Sequence, residues 1–298
     1  MTKFAGRGAI VGGGFIIAGA TSIQWSSAVV TPALHAIGGL GASAWRFLLG
    51  SLVLLAITRP NLRHWTKAQW RASVLYGLAV ALMNACFFQA LARIPLGDTV
   101  TIEFLGPLLV AVMGRRTLRH AAFAIVAGIG VVFLGHPGGH LNSLGVVFAL
   151  GAALGWGLYI ITANNVGETS TGFGGLAVSM SIASIVTLPF AMVTLPHIVH
   201  DPYIGGRMLI VALMSIVLGF ALEMQALRNV PPWLAGVMMA FDPAVAFVLG
   251  LVILRQHPTS WDLWGLILVI VAGVGVTVDT HRNEDLTVSA SDPVSDSN

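Results

Sequence analysis

Ten stretches of mostly apolar residues follow one another along this chain, at roughly 9–31, 40–58, 70–92, 97–114, 120–135, 143–164, 172–194, 207–228, 232–254 and 261–279. Most approach the ~20 residues a helix needs to cross a hydrocarbon core about 30 Å thick. With 56% hydrophobic and 9% charged residues and a mean hydropathy of +0.86, the chain has too little polar surface to coat a water-soluble globule. Inside lipid, only helices and closed barrels satisfy every backbone N–H and C=O. The alternating polarity of barrel strands is absent, so the expectation is an all-α membrane protein of about ten transmembrane helices. The segments at 97–114 and 120–135 are short for a full crossing. The first stretch is too long for a cleavable signal peptide and carries Gln24, Ser26 and Ser27, which a signal h-region would not.

One half of the chain echoes the other. Gln89-Ala90-Leu91, Pro95, Pro107, Val112 and Gly114 recur 136 positions later as Gln225-Ala226-Leu227, Pro231, Pro243, Val248 and Gly250. Ala127-Gly128-Ile129-Gly130-Val131 returns as Ala272-Gly273-Val274-Gly275-Val276 at an offset of 145. The expected units are 1–136 and 137–280, five helices each, followed by a disordered cytoplasmic tail at 281–298. Five is odd, so the second unit must enter from the opposite face and run inverted to the first. Such duplicated bundles characteristically hold a substrate where the halves meet.

The basic pI of about 9.5 is not a nucleic-acid signal, because the cations flank helices. Lys3 and Arg7, then Arg59, Arg63, Lys67 and Arg71, then Arg115, Arg116 and Arg119 fall on one face, against Arg93 on the other. The positive-inside rule places the N-terminus, and with ten helices the C-terminus, in the cytoplasm. In the second half, Arg228 and Arg282 balance Arg207 and Arg255, so topology there rests on the helix count. The chain has two lysines and no Gly-Lys-Ser/Thr loop, so it carries no ATPase and any transport runs on gradients. No His-Glu-x-x-His or Gly-x-Ser-x-Gly occurs, which speaks against an intramembrane hydrolase. Cys86 is the only cysteine; no disulfide, metal or cofactor is expected.

A charge at the centre of a spanning helix costs about 2.5–3.5 kcal/mol even on the lenient insertion scale, so each must face protein or water. The candidates are Arg46, Glu103, Glu223 and Asp242, with Gln24, Asn84, Gln89 and Gln225 as neutral companions. Arg46 and Glu103 lie at matched depth, ~9 Å below one face, as ion-pair partners or substrate ligands. Asp242 lies ~15 Å from the other face, near the midplane. Glu223 sits near a helix end, where pairing with Arg228 competes with a coupling role. Pro107 and Pro243 break their helices and leave the Glu103 and Met239 carbonyls without a donor. Gln89 and Gln225, another repeat-related pair, are expected near the interface of the halves. Gly151 and Gly155 read as a small-xxx-small packing motif, and Trp25, Trp156 and Tyr159 as cavity walls or interfacial anchors.

These segments also resemble a known family. Ser22-Ile23-Gln24, Ala44-Trp45-Arg46-Phe47-Leu48-Leu49-Gly50, Ile94-Pro95-Leu96-Gly97, Glu103-Phe104-Leu105-Gly106-Pro107, Leu222-Glu223-Met224 and Phe241-Asp242-Pro243-Ala244 resemble the EamA-type branch of the drug/metabolite transporter superfamily, and within it the bacterial threonine/homoserine exporters. The resemblance implies ten helices in two inverted repeats, both termini cytoplasmic, and efflux of small amino acids, with Arg46, Glu103, Glu223 and Asp242 as polar core residues. Asp242 departs from the Glu usual before that proline, and Arg255-Gln256 from the usual Gly-Glu. The expectation is a secondary exporter in the bacterial inner membrane, driven by proton antiport. The alternatives are an exporter of cationic drugs or other metabolites, and a non-transporting scaffold.

Overall fold

The computed structural model describes residues 2–114, 117–134, 142–169, 173–227 and 238–291. Its helices are α1 (Thr2–Val30), α2 (Leu34–Thr58), α3 (Lys67–Leu91), α4 (Leu96–Glu103), α5 (Leu105–Gly114), α6 (Leu118–Leu134), α7 (Ser143–Thr169), α8 (Gly174–His200), α9 (Pro202–Ala212), α10 (Phe220–Leu227), α11 (Asp242–Ile253) and α12 (Ser260–Ser291). Seven segments are long and apolar enough to cross a membrane, the first of them holding both α1 and α2. Counted separately, and with the shorter apolar α6 and α11, they make ten passes. Helices α4 and α5 form one pass, broken at Phe104; α9 and α10 form another, joined by a π-helical turn over Leu213–Gly219.

Packing reproduces the repeat. Numbering the passes in order, pass 3 lies on pass 6 as pass 8 lies on pass 1, and pass 3 meets pass 7 as pass 8 meets pass 2. Passes 2 and 7, 4 and 9, and 5 and 10 pair with each other. Exchanging each pass with the one five later leaves this pattern of contacts unchanged, which is the pseudo-two-fold relation of inverted repeats. The passes alternate in direction. Pro60 lies against Gly174 at one end of the bundle, while Arg93 against Gly145 marks the other, together with Arg207 on Val29 and Leu96 on Gln256.

Without a hydrophobic drive between helices in lipid, close approach and lateral hydrogen bonds hold such a bundle. A Cβ on Gly155 would sit 2.6 Å from Met83 Cα, and a Cβ on Gly130 or on Gly265 would come within 2.8 or 2.7 Å of the other's carbonyl oxygen. Trp45 Nε1 donates to Thr194 Oγ1 at 3.0 Å across passes 2 and 7. Ser22 Oγ donates to the Met214 carbonyl at 2.6 Å, supplying a donor to the π-helical turn, where the regular i→i−4 ladder is interrupted.

Two expectations are corrected. The tail does not begin as disordered chain at 281: α12 continues to Ser291, since no Gly or Pro stands between Gly275 and Pro293 to stop it. Pro107 and Pro243 do not interrupt helices from within; they occupy the first turns of α5 and α11, where the fixed φ suits a helix start and the missing N–H is no loss. Arg255, where the family resemblance leads one to expect glycine, adopts φ +52°, a left-handed conformation that glycine takes without strain. The boundary at 136/137 and Arg228 lie outside the described residues.

Candidate functional site

The breaks in passes 4 and 9 decide where the carboxylates point. Glu103 closes α4 just before the turn at Phe104, and Asp242 opens α11 just after the turn at Ala240–Phe241. The positive end of α11 favours a carboxylate in its first turn. Both side chains line a cavity of about 50 Å³ between the two halves. Arg46 from α2, Gln24 from α1, Asn84 from α3 and Glu223 from α10 face the same space. Trp156 and Tyr159 of α7 form an aromatic wall, backed by Phe104, whose ring centroid lies 6.0 Å from that of Trp156.

Arg46 is 2% exposed and Glu103 3%, yet neither forms a salt bridge with a described residue. The guanidinium instead lies over two rings, 5.4 Å from the Phe88 centroid and 6.0 Å from that of Phe220. Cation–π contacts of this kind are worth about 0.5–2 kcal/mol, and they hold the charge at the cavity. The expected ion pair with Glu103 is therefore replaced by a shared cavity.

Gln24 Oε1, Arg46 Nε, Glu103 Oε1 and Asp242 Oδ1 are buried and have no hydrogen-bond partner among the described residues. Each such group costs about 1–3 kcal/mol when left unsatisfied. Four of them from four passes, converging on one space, form a site built for something that arrives with both donors and acceptors. At roughly 10–15 Å³ per water the cavity holds only a few waters, so a larger solute enters only when the halves move apart.

Of the residues singled out in the sequence, Arg46, Glu103, Glu223, Asp242 and Gln24 are brought together, with Asn84, Trp156 and Tyr159 beside them. Gln89 and Gln225 are not. Gln89 Oε1 accepts from Arg93 at 2.6 Å, near the end of the bundle. Gln225 is exposed, two residues and hence ~200° around the helix from Glu223. Repeat-related positions share an environment without having to face the cavity. Trp25 does not line it either. Phe88 and Phe220, which seat the guanidinium, escaped the sequence reading because a phenylalanine among apolar residues carries no signal; the spacing of Phe88 four residues after Asn84, on one helix face, was the available clue. Among the described residues no three His, Cys, Asp or Glu side chains converge as metal ligands.

Comparison with known proteins agrees with this arrangement. Residues 143–278 match the EamA-like transporter family. The threonine/homoserine exporter RhtA of Salmonella typhimurium is 31% identical over 269 residues, covering 89% of this chain and 91% of that protein. Its Escherichia coli K12 counterpart is 29% identical over 268 residues, 89% and 90% of the two chains. Protein PecM of Dickeya dadantii is 26% identical over 216 residues, 68% and 72% of the two chains. A solved crystal structure 18% identical in sequence aligns over 91% of this chain and 99% of its own, with a TM-score of 0.59. A membrane bundle of ten passes that shares nearly a third of its residues with a threonine/homoserine exporter over nine-tenths of its length, and whose second half matches the family model, belongs to the EamA-like transporter family.

Proposed function

We propose that the chain exports small amino acids of the threonine or homoserine type across the bacterial inner membrane by proton antiport, with both termini in the cytoplasm. The observation that carries this reading is the central cavity, where one guanidinium and three carboxylates meet between the repeats. A zwitterion needs an acceptor for its ammonium and a donor for its carboxylate; Glu103 or Asp242 supplies the first and Arg46 the second. Gln24 and Asn84 add neutral partners for a side-chain hydroxyl. The named activity of the relatives supports the same substrate class. Binding a net-neutral zwitterion leaves an excess of carboxylates in lipid, which protons exchanged for substrate would offset. Motion of one repeat against the other exposes the cavity to either side in turn.

A second reading has its own support. Three carboxylates against one guanidinium, beside Trp156 and Tyr159, also suit an organic cation.

Proteoliposomes loaded with labelled amino acids, with and without an imposed pH gradient, test the proposal. Threonine or homoserine efflux should exceed that of empty-vesicle controls and rise with the gradient. Asp242→Asn keeps size and hydrogen bonding but cannot ionise, so it should insert normally and lose gradient-driven efflux by at least ~100-fold, the scale of a positioned proton-transfer group. Flux of lipophilic cations without amino-acid flux would select the second reading. An Asn variant with wild-type rate and pH dependence would remove Asp242 from the mechanism.

A further inference from the structure

A second cavity, also about 50 Å³, lies where the first turn of α4 meets the connection between α11 and α12. Its polar wall is Asp98, Gln256, His257 and Asp262, with the Phe247 ring beside them. Asp98 is 3% exposed and its Oδ1 has no hydrogen-bond partner among the described residues. Asp262 is fixed by the capping box that starts α12: its Oδ2 accepts from the Thr259 N–H at 2.6 Å and from the Thr259 hydroxyl at 2.9 Å. Gln256 Oε1 accepts from the Leu96 N–H at 3.3 Å, which anchors the amide on the start of α4 and leaves it a second lone pair.

Two carboxylates, Asp98 and Asp262, face one small space. Neither forms an ion pair with a described residue. The basic side chain on the wall, His257, is exposed to solvent. Burying a carboxylate oxygen without a donor is costly, and a like charge beside it adds to the cost. One compact positive charge between them removes both penalties. Among the described residues no three His, Cys, Asp or Glu side chains converge there as metal ligands, and the carboxylate and amide oxygens of Asp98, Asp262 and Gln256 suit hard cations and N–H donors.

We propose that the cavity of Asp98, Asp262 and Gln256 binds a compact cation, either a hard metal ion or the ammonium group of a small amine. The site has a mechanical consequence. Helix α4 runs from Asp98 to Glu103 and α11 from Asp242 to the turn before Gln256, so a bound cation ties the far ends of the two half-helices whose near ends carry the central carboxylates. Occupancy favours whichever conformation keeps those ends together.

Thermal unfolding of the purified full chain in detergent tests this directly, with calcium, sodium and methylammonium chlorides compared against choline chloride at equal ionic strength. Choline is too bulky for the cavity and controls for screening. At least one of the three should raise the midpoint saturably by about 2–5 °C, and which one does so separates metal ion from ammonium. The rise should vanish in Asp98→Asn and persist in Glu103→Gln. Should Asp98→Asn fail to fold, Asp262→Asn and Gln256→Ala carry the test, each weakening the apparent affinity at least ~10-fold, as expected for a lost charge-assisted contact. No rise beyond choline, a rise that survives at both aspartates, or one that disappears in Glu103→Gln would overturn the proposal. The readout is binding, so a failure here is separable from a failure of amino-acid efflux.

Discussion

Arg46 carries the positive charge of a cavity whose carboxylates are Glu103, Glu223 and Asp242, and it lies over the Phe88 and Phe220 rings with no salt bridge to a described residue. This fixes what a double-mutant cycle should read. With no salt bridge, Arg46→Gln and Glu103→Gln should couple through space alone, at about 0.5–1 kcal/mol, the low end of the range for interacting neighbours. Coupling near 3 kcal/mol in unfolding measurements would mean that the pair closes in the membrane. Arg46→Lys should not rescue transport, because an ammonium lacks the planar face that lies over Phe88 and Phe220. A second outcome follows from Arg255, an exposed side chain in left-handed backbone. Arg255→Gly should relieve about 1 kcal/mol of strain and raise the unfolding midpoint by ~2–4 °C; a lower midpoint would mean that the arginine side chain makes a compensating contact. At this scale the sequence was informative wherever lipid made a residue expensive, which is why Arg46, Glu103, Glu223, Asp242 and Gln24 could be read out of the apolar background. Phe88, Phe220 and Asp98 were not legible: the first two look like any lipid-facing phenylalanine, and an aspartate in a first helical turn looks like a dipole partner.

At the scale of elements, the glycines separate into those that set helix spacing and those that do not. A Cβ at Gly155 would meet the Met83 backbone at 2.6 Å, whereas Gly128 has nothing within 4 Å. Gly155→Ala should therefore push α7 off α3 and destabilise the protein by about 1–3 kcal/mol, the usual cost of overpacking. Gly128→Ala should be neutral or slightly stabilising through helix propensity, up to ~1 kcal/mol. Equal effects of the two, followed by unfolding in detergent, would show that passes 3 and 6 are not held by close approach at Gly155. The Gly151/Gly155 motif was legible because spacing alone defines a small helix face. The π-helical turn at Leu213–Gly219 was not, since an inserted residue leaves no mark in an unbroken apolar run; its structural sign is the Ser22 hydroxyl on the Met214 carbonyl. The half-helices were legible only in part. Prolines at matched positions announced breaks, but whether proline bends a helix or begins one is settled by the backbone before it.

At the scale of the whole molecule, the repeat makes a joint statement about packing and sidedness. Alternating passes place Arg59, Arg63, Lys67 and Arg71 at the end of the bundle marked by Pro60 and Gly174, while Arg93, Arg207 and Arg255 gather at the end marked by Gln256. Arg119 joins the first group, paired with Asp279 at 3.1 Å where α6 meets α12. The cation excess of the first group comes entirely from the first repeat. The second repeat is nearly balanced, and its orientation follows from being threaded through five more passes. Positive charges are retained on the cytoplasmic side, so Cys replacing Lys67 in a Cys86→Ser background should resist an impermeant maleimide in intact cells and react once the membrane is opened. Cys replacing His257 should react from outside, since that residue is exposed at the opposite end. The two positions test different things: 67 reads the charge bias, and 257 reads the number of passes between them. Labelling of both from one side would break the ten-pass count, and exchange of the two patterns would invert the molecule. In that inverted case the site at Asp98 and Asp262 would sample cytoplasmic cations instead of external ones.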